Sequence, residues 1–435
     1  MALARDLRRA LRAEMASHHD DVPDPVTRAT LDRLAAQLPV HIVPSTGALE
    51  PVGGGPRGAL TRVLASTHSL VNAGVWNRLK ICPNDDCAWA FYDESRNRSR
   101  RWCSMNVCGN RHKVRASRQT RRVTELIPAG LIAADESYHT PGEGDWWGES
   151  WYYDFATRDA TLGGYVRLGL YPNQTVAWYW ACVVGEHRRL VTVVDHDVRP
   201  PRPPSLEVRA EGLWADHNIE TPFDHISLGC EAFALGLDDP AAMYDPHGPP
   251  VGDRVAFGLD LEWETDGAGY VYPPGTTRYE VPCRVHGVVL VGDERIEVDA
   301  IGERDHSWGT RDWWTLGWTW SAGWLDDGTR FHGTTVRLGD DVVPYHPGFL
   351  QPPGAPLAGV EHTTATWVPG GHGFPASATV GYDDLHLDVE PVAFAPVLLE
   401  DGAGRVSRFP RALCRFRDPA TGRTGAGWVE WNQPQ

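Results

Sequence analysis

The sequence predicts a multidomain protein in which a small, mainly α-helical, zinc-binding N-terminal region precedes an all-β region built as two barrels in tandem. Three observations support this fold class. The chain of 435 residues carries a formal charge of −16, but residues 1–122 account for +9 and the remainder for −25. Sixteen of the 19 tryptophans follow residue 122, whereas four of the eight cysteines fall within residues 82–108. Such a length and charge distribution indicate two or three domains with different partners.

The segment ahead of the cysteines is predicted to be mainly helical. Leucine, alanine and arginine recur at helical spacing over residues 4–16 and 26–38, and a third apolar-periodic helix is expected from about 57 to 73. Residues 41–45 are a candidate short strand. The glycine-rich run 53–58 lacks the Gly-Lys-Ser/Thr that completes a phosphate-binding loop, so an ordinary loop is predicted there.

Four cysteines form two equally spaced pairs, which predict a structural Zn²⁺ site. Four residues separate the members of each pair, and fifteen residues separate the pairs. Four thiolates at this spacing match a closed tetrahedral site, and disulfides are not expected in a reducing compartment. Because the segment is too short to bury a core, the metal would supply much of its folding free energy. The predicted ligands are Cys82, Cys87, Cys103 and Cys108; the alternative is four unligated core cysteines.

Basic residues are concentrated around the predicted zinc site. Residues 78–122 carry a net charge of +8. This density beside a zinc-binding segment favours phosphate binding, with DNA or RNA as the partner, over the alternative of a solvated basic helix. The candidate nucleic-acid-binding residues are Arg96, Arg98, Arg100, Arg101, Arg111, Lys113, Arg115 and Arg118.

The run CPNDDCAWAFYDESRNRSRRWCSMNVCGNRHKVR resembles the CGNR zinc finger, a family named after the residues that stand here at 108–111. The resemblance implies that residues 78–122 form a zinc finger with a basic helix, as in bacterial transcription regulators. Residues 25–77 resemble the later part of the stress-linked regulatory domain that precedes the finger in that family. Residues 1–77 are therefore expected to form a helical, partial regulatory domain.

Aromatic residues alternate with small or polar residues in the acidic remainder of the chain. In WWTLGWTWSAGW, every second position is large and apolar, at Trp314, Leu316, Trp318 and Trp320. This period of two predicts a β-strand with one aromatic face. The three tryptophans of that face are candidate ligand-binding residues.

Further strands at close spacing predict a system of β-barrels or a sandwich. Residues 175–184 alternate in the same way, and Asp327-Gly328 lies between two strand-like runs, which indicates a hairpin. About 300 residues are too many for one small barrel. We therefore expect two barrels, over residues 129–278 and 279–435.

The sequence GERDHSWGTRDWW, residues 302–314, places charges among the aromatic strands. One interpretation is an Arg–Asp hydrogen-bond network that stabilises the barrel, because unpaired buried charges are costly. The other is an acid in an apolar cavity, with tryptophan faces available to a cationic intermediate. Burial would raise the pKa of Asp305 and nearby arginines would lower it; if the arginines prevail, His306 is the proton donor and Asp305 orients it. The candidate catalytic residues are Asp305, His306, Trp308, Arg311 and Asp312.

This motif and the tandem-barrel pattern resemble the lipocalin-like superfamily that includes carotenoid 1,2-hydratases and fungal Diels–Alderase-type cyclases. The run GESWYYDFATRDATLGGYVRLGLYPNQTVAWYW is similar to the first barrel of that group. The resemblance covers about residues 129–435. It implies lipocalin-like barrels, and it leaves the activity open because the group contains both enzymes and proteins without known activity.

Two functional hypotheses follow from these features. The first is a ligand-responsive regulator, with a nucleic-acid-binding zinc segment and a barrel pair that binds a hydrophobic small molecule. The second is a cofactor-independent hydratase or cyclase that acts on an isoprenoid or polyene-like substrate; uncoupled neighbouring functions are a third possibility. No dinucleotide or P-loop motif is found, so zinc is the one cofactor predicted. No apolar run reaches bilayer length and no signal peptide is evident, so a cytoplasmic location without a membrane span is expected.

Overall fold

The computed structural model describes residues 2–19, 24–82, 87–93, 100, 103, 126–245, 248 and 250–435. The chain divides into two compact units, Met1–Arg121 and Arg122–Gln435. The division falls where the charge of the sequence changes sign.

The N-terminal unit contains the three predicted helices. The Asp24 carboxylate caps the second helix by accepting hydrogen bonds from the backbone N–H groups of Val26 and Thr27, which have no partner within the helix. Leu7, Leu11 and Leu34 form part of a small buried core at one face of the first two helices. The elements are α1 (Ala2–Ser17), α2 (Pro25–Ala35), β1 (Val40–Ile42), β2 (Leu49–Pro51), α3 (Gly55–Asn72), β3 (Leu79–Ile81) and β4 (Ala90–Tyr92), with β1 paired to β2 and β3 to β4.

Eleven antiparallel strands of the second unit form the first large sheet. They are β5 (Trp147–Ala156), β6 (Leu162–Tyr171), β7 (Val176–Gly185), β8 (Arg188–Val198), β9 (Val208–Ala210), β10 (Leu213–Thr221), β11 (His225–Leu237), β12 (Asp253–Thr265), β13 (Tyr270–Val271), β14 (Thr277–Val291) and β15 (Glu294–Thr310).

Eight of these strands close into a barrel. Their order is β12-β14-β15-β5-β6-β7-β8-β11, and β11 pairs in turn with β12. Since successive side chains point to opposite faces of a strand, one face fills the barrel interior and the other faces outward. Large buried aromatic residues fill this interior, among them Trp151, Tyr153, Tyr179, Trp263 and Tyr279.

The second large sheet is open and curled. Its strands are β16 (Gly317–Leu325), β17 (Arg330–Leu338), β18 (Asp341–Val342), β19 (Gly348–Gln351), β20 (Ala358–Gly359), β21 (Thr363–Pro369), β22 (Pro375–Tyr382), β23 (Leu385–Phe394), β24 (Val397–Glu400), β25 (Val406–Phe409), β26 (Arg411–Arg417) and β27 (Thr424–Pro434). The sheet curls far enough for β21 to reach β17, where the Thr363 hydroxyl donates to the Thr334 carbonyl oxygen at 2.8 Å.

A second aromatic core lies between the barrel and the curled sheet. Trp178 and Trp180 reach it from β7, Trp313 from the segment before β16, and Trp320 and Trp428 from β16 and β27. Each indole buries a large apolar area, and paired aromatic rings add a further stabilisation of about 0.5–1.5 kcal/mol beyond area burial. This interface accounts for much of the tryptophan content of the acidic part of the chain.

The predicted fold class is confirmed: a small helical N-terminal region is followed by an all-β region. The hairpin at Asp327-Gly328 is present, because β16 and β17 pair across it and Gly328 takes the positive φ of 89° that the turn needs. No helix in the described part of the chain is long and apolar enough to cross a membrane.

Two details of the β-region predictions are wrong. The division at residue 278 fails because β14 and β15 complete the barrel, with β15 paired to β5 more than 140 residues earlier. The predicted aromatic strand is also shorter than expected. It begins at Gly317, so Trp314 and Leu316 lie in the preceding turn rather than on the strand face.

Candidate functional site

Three of the four predicted zinc ligands lie together beside the β3–β4 hairpin. The sulfur atoms of Cys82, Cys87 and Cys103 all lie within 4.8 Å of one another, and the Cys87 and Cys103 sulfurs are 3.5 Å apart. Thiolates bound to one Zn²⁺ at about 2.3 Å have separations of roughly 4 Å, so this donor set fits the ion. Cys108 lies outside the described residues.

Of the predicted nucleic-acid-binding residues, Arg100 lies in the described part of the chain. Its backbone N–H donates to the buried Asp93 carboxylate at 3.0 Å, and its guanidinium donates to the Cys103 carbonyl oxygen. The same carboxylate accepts from Lys80 Nζ at 2.9 Å. Arg100 therefore stabilises the zinc-binding segment itself. The other predicted residues, Arg96, Arg98, Arg101, Arg111, Lys113, Arg115 and Arg118, lie outside the described residues.

A cavity of about 430 Å³ lies between the barrel and the curled sheet. Its walls combine aromatic rings with three arginines. The aromatic lining residues are Tyr171, Tyr272, Trp308, Trp313, Trp318, Trp320 and Tyr345, and the arginines are Arg167, Arg278 and Arg311. A concave, mostly apolar site with a few convergent charges is typical of small-molecule binding sites.

A row of polar and charged side chains crosses the barrel below this cavity. Glu280, Asp305, Tyr152, Arg167 and Trp180 are direct cross-strand neighbours on five consecutive strands. Because neighbours in register share one face of a sheet, all five side chains project toward the curled sheet. The strand register, rather than a local sequence motif, therefore brings these side chains together below the cavity.

Two buried carboxylates in this row share one arginine. Arg278 donates through Nε to Glu280 and through Nη2 to Asp305, both at 2.6 Å. Burial raises the pKa of Glu280 to about 8 and also raises the pKa of Asp305, even though Arg278 opposes both shifts. Desolvation therefore outweighs the arginine in setting the direction of both pKa shifts.

The raised pKa of Glu280 predicts a pH-dependent stability. A pKa of about 8, against an ordinary value of 4.5, means that folding favours the protonated carboxyl. This contribution to stability is complete below about pH 4.5 and is lost as the pH rises through 8. The melting temperature of the wild type should therefore fall, relative to that of Glu280→Gln, between pH 5 and pH 8.5. If the melting temperatures of the two proteins changed equally with pH over this range, the raised pKa would be contradicted.

The other two arginines of the cavity lack acidic partners. Among the described residues, no carboxylate oxygen lies within 4.0 Å of Arg167 or Arg311. The Arg167 guanidinium packs over the Trp180 and Trp313 rings at 4.5 and 5.3 Å, and its buried Nη1 has no hydrogen-bond partner in the described chain. Gly169 leaves room for this guanidinium, since a Cβ there would collide with it.

Through its side chain, Arg311 has one hydrogen-bond partner in the described chain and one aromatic neighbour. Its Nη2 donates to the Ser307 hydroxyl at 2.9 Å, and its guanidinium lies 5.2 Å from the Trp313 ring centre. Burial, together with the positive charges of Arg278 and Arg167, lowers the pKa of Arg311 to about 10. The Asp305 carboxylate opposes this shift in part, and the guanidinium remains charged at neutral pH.

A buried hydrogen-bond network connects the cavity to a histidine that the sequence analysis missed. The Tyr272 hydroxyl lies 2.8 Å from His332 Nε2, 2.9 Å from the Thr334 hydroxyl and 3.2 Å from Glu280 Oε1. Trp320 Nε1 donates to the same carboxylate oxygen at 3.1 Å. Burial and the charge of Arg278 hold the pKa of His332 well below its usual value, so this imidazole is neutral.

Comparison with protein-family models assigns both parts of the chain. A domain of unknown function, DUF7064, matches residues 133–435. The chain belongs to the DUF7064 family. The CGNR zinc finger matches residues 78–121, which confirms the predicted finger. Comparison with curated proteins finds no match.

Three solved structures are similar to this chain at low sequence identity. AttH from Nitrosomonas europaea is 14% identical with a TM-score of 0.49, covering 71% of this chain and 98% of that one. Kievitone hydratase from Nectria haematococca is 12% identical with a TM-score of 0.48, covering 70% and 93%. CghA is 9% identical with a TM-score of 0.42, covering 68% and 93%.

The DUF7064 domain brings only some of the predicted site residues to the cavity. Trp308, Arg311, Trp318 and Trp320 line it, as does Asp312. The Asp312 carboxylate, however, accepts the backbone N–H groups of residues 314 and 315 and so caps the turn before β16. These hydrogen bonds stabilise the turn that leads into β16.

Trp314 does not line the DUF7064 cavity. Its ring packs 4.6 Å from that of Trp146, and its Nε1 donates to the Leu399 carbonyl oxygen at 3.4 Å. The prediction that Trp314 shares a ligand-binding face with Trp318 is wrong, because the chain turns between the two residues.

Asp305 and His306 do not act together in the DUF7064 domain. They are consecutive residues of β15 and therefore point to opposite faces of the sheet. Asp305 bonds to Arg278, whereas His306 bonds to Glu149 at 3.0 Å on the interior side, and neither residue lines the cavity. The expectation that Asp305 orients His306 is wrong.

Proposed function

We propose that the DUF7064 domain binds a small molecule with an aromatic or polyene-like body and an acidic group, and that the CGNR finger binds nucleic acid. The chain would then act as a ligand-responsive regulator. The observation that carries the proposal is the cavity itself, in which indole rings pack against Arg167 and Arg311 and no carboxylate of the described residues forms an ion pair with either one.

The charge balance supports an anionic group on the ligand. Arg278 is neutralised by Asp305, whereas Arg167 and Arg311 are not paired with any acid in the described chain. Desolvated charges without a partner are costly, and a carboxylate or similar anion would supply charge-assisted hydrogen bonds to a guanidinium. Such an anion would also relieve the repulsion among the three arginines.

The walls of the cavity support an apolar ligand body. Trp313, Trp318 and Trp320 offer flat surfaces, and Leu316 and Val336 add aliphatic ones. A volume of about 430 Å³ falls within the range of about 300–1,000 Å³ found for small-molecule sites. A planar or extended hydrophobic molecule of moderate size fits this description.

Substitution of Arg311 tests the anionic part of the proposal. The fluorescent probe 8-anilino-1-naphthalenesulfonate combines aromatic rings with one sulfonate. Because a hydrogen bond to a charged group contributes about 1.5–3 kcal/mol, Arg311→Gln should weaken binding of this probe about tenfold or more. The measurement is a fluorescence titration of the full chain.

A matched control is available in Arg405. Its guanidinium also packs over an indole, at 5.0 Å from the Trp314 ring centre, but it lies outside the cavity lining. Arg405→Gln should bind the probe as the wild type does. Equal losses in both variants would refute the cavity as the binding site.

An enzymatic role is the second candidate function, and the Tyr272 network favours it. Tyr272 lines the cavity, and its hydroxyl bonds to Glu280, which carries its proton over much of the neutral range. Such a pair could protonate an alkene, as a cofactor-independent hydratase or cyclase would require. Mass spectrometry of the compound bound to the purified chain, before and after incubation, distinguishes the two. An unchanged mass and an unchanged chromatographic retention time support a binder. A gain of one water that Glu280→Gln abolishes supports a hydratase, and a changed retention time at the same mass that Glu280→Gln abolishes supports a cyclase.

A further inference from the structure

A cluster of two histidines and a glutamate lies in the DUF7064 domain, apart from the zinc finger. The ligand atoms of His139, Glu149 and His306 all lie within 4.8 Å of one another. Glu149 and His306 are buried, while the His139 side chain is 19% exposed. Two of the three candidate ligands are thus enclosed by the protein, and the third is accessible to solvent.

The strand register and two indole rings fix the positions of these side chains. Glu149 on β5 faces Trp308 on β15, and His306 lies two residues earlier on the same face of β15. His139 stacks on Trp308 with ring centres 3.6 Å apart, and His306 stacks on Trp151 at 4.5 Å.

Both imidazoles direct a nitrogen atom at one carboxylate oxygen. His139 Nδ1 lies 2.7 Å and His306 Nε2 lies 3.0 Å from Glu149 Oε1. Ligand atoms bound to one metal ion at about 2.1 Å have separations of roughly 3 Å, so both imidazole–carboxylate distances are compatible with a shared ion. The two imidazole nitrogens also lie within 4.8 Å of each other.

The opposite nitrogen of each imidazole faces an acceptor. His306 Nδ1 lies 2.8 Å from the Asp135 carbonyl oxygen, which can only accept, so this nitrogen carries the proton. His139 Nε2 lies 3.4 Å from a carboxylate oxygen of Asp135. A metal ion would replace the hydrogen between each Glu149-facing nitrogen and the carboxylate, so that the nitrogen presents its lone pair to the ion. Histidines that bind metals commonly donate their other N–H to a carbonyl or carboxylate in this way.

We infer that His139 Nδ1, His306 Nε2 and the Glu149 carboxylate form a binding site for a divalent transition-metal ion such as Zn²⁺. Two imidazoles and one carboxylate are a ligand set that leaves at least one coordination position open. Because Glu149 and Trp308 also line the 430 Å³ cavity, the open position lies beside the proposed ligand site. Asp135 is a positioning residue: its backbone carbonyl oxygen orients His306, and its carboxylate, which Asp135→Asn removes, orients His139.

The competing arrangement is an ion-paired cluster without a metal. In that case hydrogen bonds alone join both imidazoles to the Glu149 carboxylate. The two arrangements differ in whether the full chain takes up a second equivalent of metal, because the CGNR finger accounts for the first.

Metal analysis of the intact chain tests the inference without any ligand. After dialysis against Zn²⁺, the wild type should hold two ions per chain, and Glu149→Gln and His139→Ala should each hold one. His372→Ala, at an exposed histidine outside the cluster, should retain two. Asp135→Asn should weaken the second site about 10–100-fold. One ion per chain in a wild type with a fully loaded finger would overturn the inference.

Cobalt substitution identifies the ligands of each bound ion. Co²⁺ bound to the thiolates of the finger gives sulfur-to-metal charge-transfer bands, whereas Co²⁺ bound to nitrogen and oxygen gives only ligand-field bands. In the Cys103→Ser variant the ligand-field bands should persist. In the Cys103→Ser, Glu149→Gln double variant these bands should be absent. Near-ultraviolet circular dichroism checks that each variant is folded. Failure of 8-anilino-1-naphthalenesulfonate binding would leave these spectra unaffected, so the two proposals are tested separately.

Discussion

Arg278→Met should destabilise the DUF7064 domain by about 3–5 kcal/mol, the cost of removing one partner from a buried ion pair. Arg278 is the group that bonds directly to both Glu280 and Asp305, each of which is at most 5% exposed. Without it, two buried carboxyl groups face each other across β14 and β15. Chemical denaturation of the full chain, monitored by tryptophan fluorescence, measures this effect.

The expected loss comes mainly from the Asp305 carboxylate, which would remain buried without its cation, because Glu280, with a pKa of about 8, is already largely protonated at neutral pH. Adding Glu280→Gln and Asp305→Asn to Arg278→Met should therefore restore much of the lost stability, even though three native groups are then absent. A triple variant less stable than the single one would show that Arg278 acts by packing rather than by charge. The single variant should also be destabilised less at pH 5 than at pH 8, because protonation removes the carboxylate charges.

Cys103→Ser should release the zinc ion and unfold the CGNR finger. Folding of small zinc sites depends on metal binding, whose apparent free energy reaches about 10–16 kcal/mol in zinc-finger peptides at pH 7. Loss of the finger should abolish the salt-sensitive binding of DNA or RNA that the +8 charge of residues 78–122 predicts. The measurements are metal content and fluorescence anisotropy with a labelled duplex at low salt.

The DUF7064 domain supplies the internal control for this variant. Because the two compact units have separate cores, the melting transition of the β region should be unchanged in Cys103→Ser. If the wild type with a fully loaded finger does not bind nucleic acid at low salt, the finger is an interaction module or a structural element instead.

The sequence predicted those parts of the fold that depend on local patterns. Alternation of aromatic and small residues identified the strand that carries Trp318 and Trp320, and the Asp327-Gly328 turn placed the following hairpin. The barrel boundary could not be found in this way. It depends on the pairing of β15 with β5, which joins segments more than 140 residues apart in the chain.

The same distinction applies to the candidate site. The motif around residues 302–314 drew attention to Arg311 and Trp308, which do line the cavity. Arg167 and Arg278 were missed because each is a single charged residue on a separate strand, and only the register brings them together. Tyr272 was missed because it lies in the loop between β13 and β14, where the sequence shows no pattern. A charged residue within an otherwise apolar strand, such as Arg167 in YVRLGLY, is the signal that could have indicated the arginines.

The most direct test of the central claim compares two probes that differ in charge. N-phenyl-1-naphthylamine has the same aromatic rings as 8-anilino-1-naphthalenesulfonate but lacks the sulfonate. If the cavity selects an acidic, apolar molecule, the full chain should bind the sulfonate about tenfold or more tightly than the neutral probe, and this preference should disappear in the Arg167→Gln, Arg311→Gln double variant. Equal affinity for the two probes, or a preference that survives in the double variant, would contradict the claim.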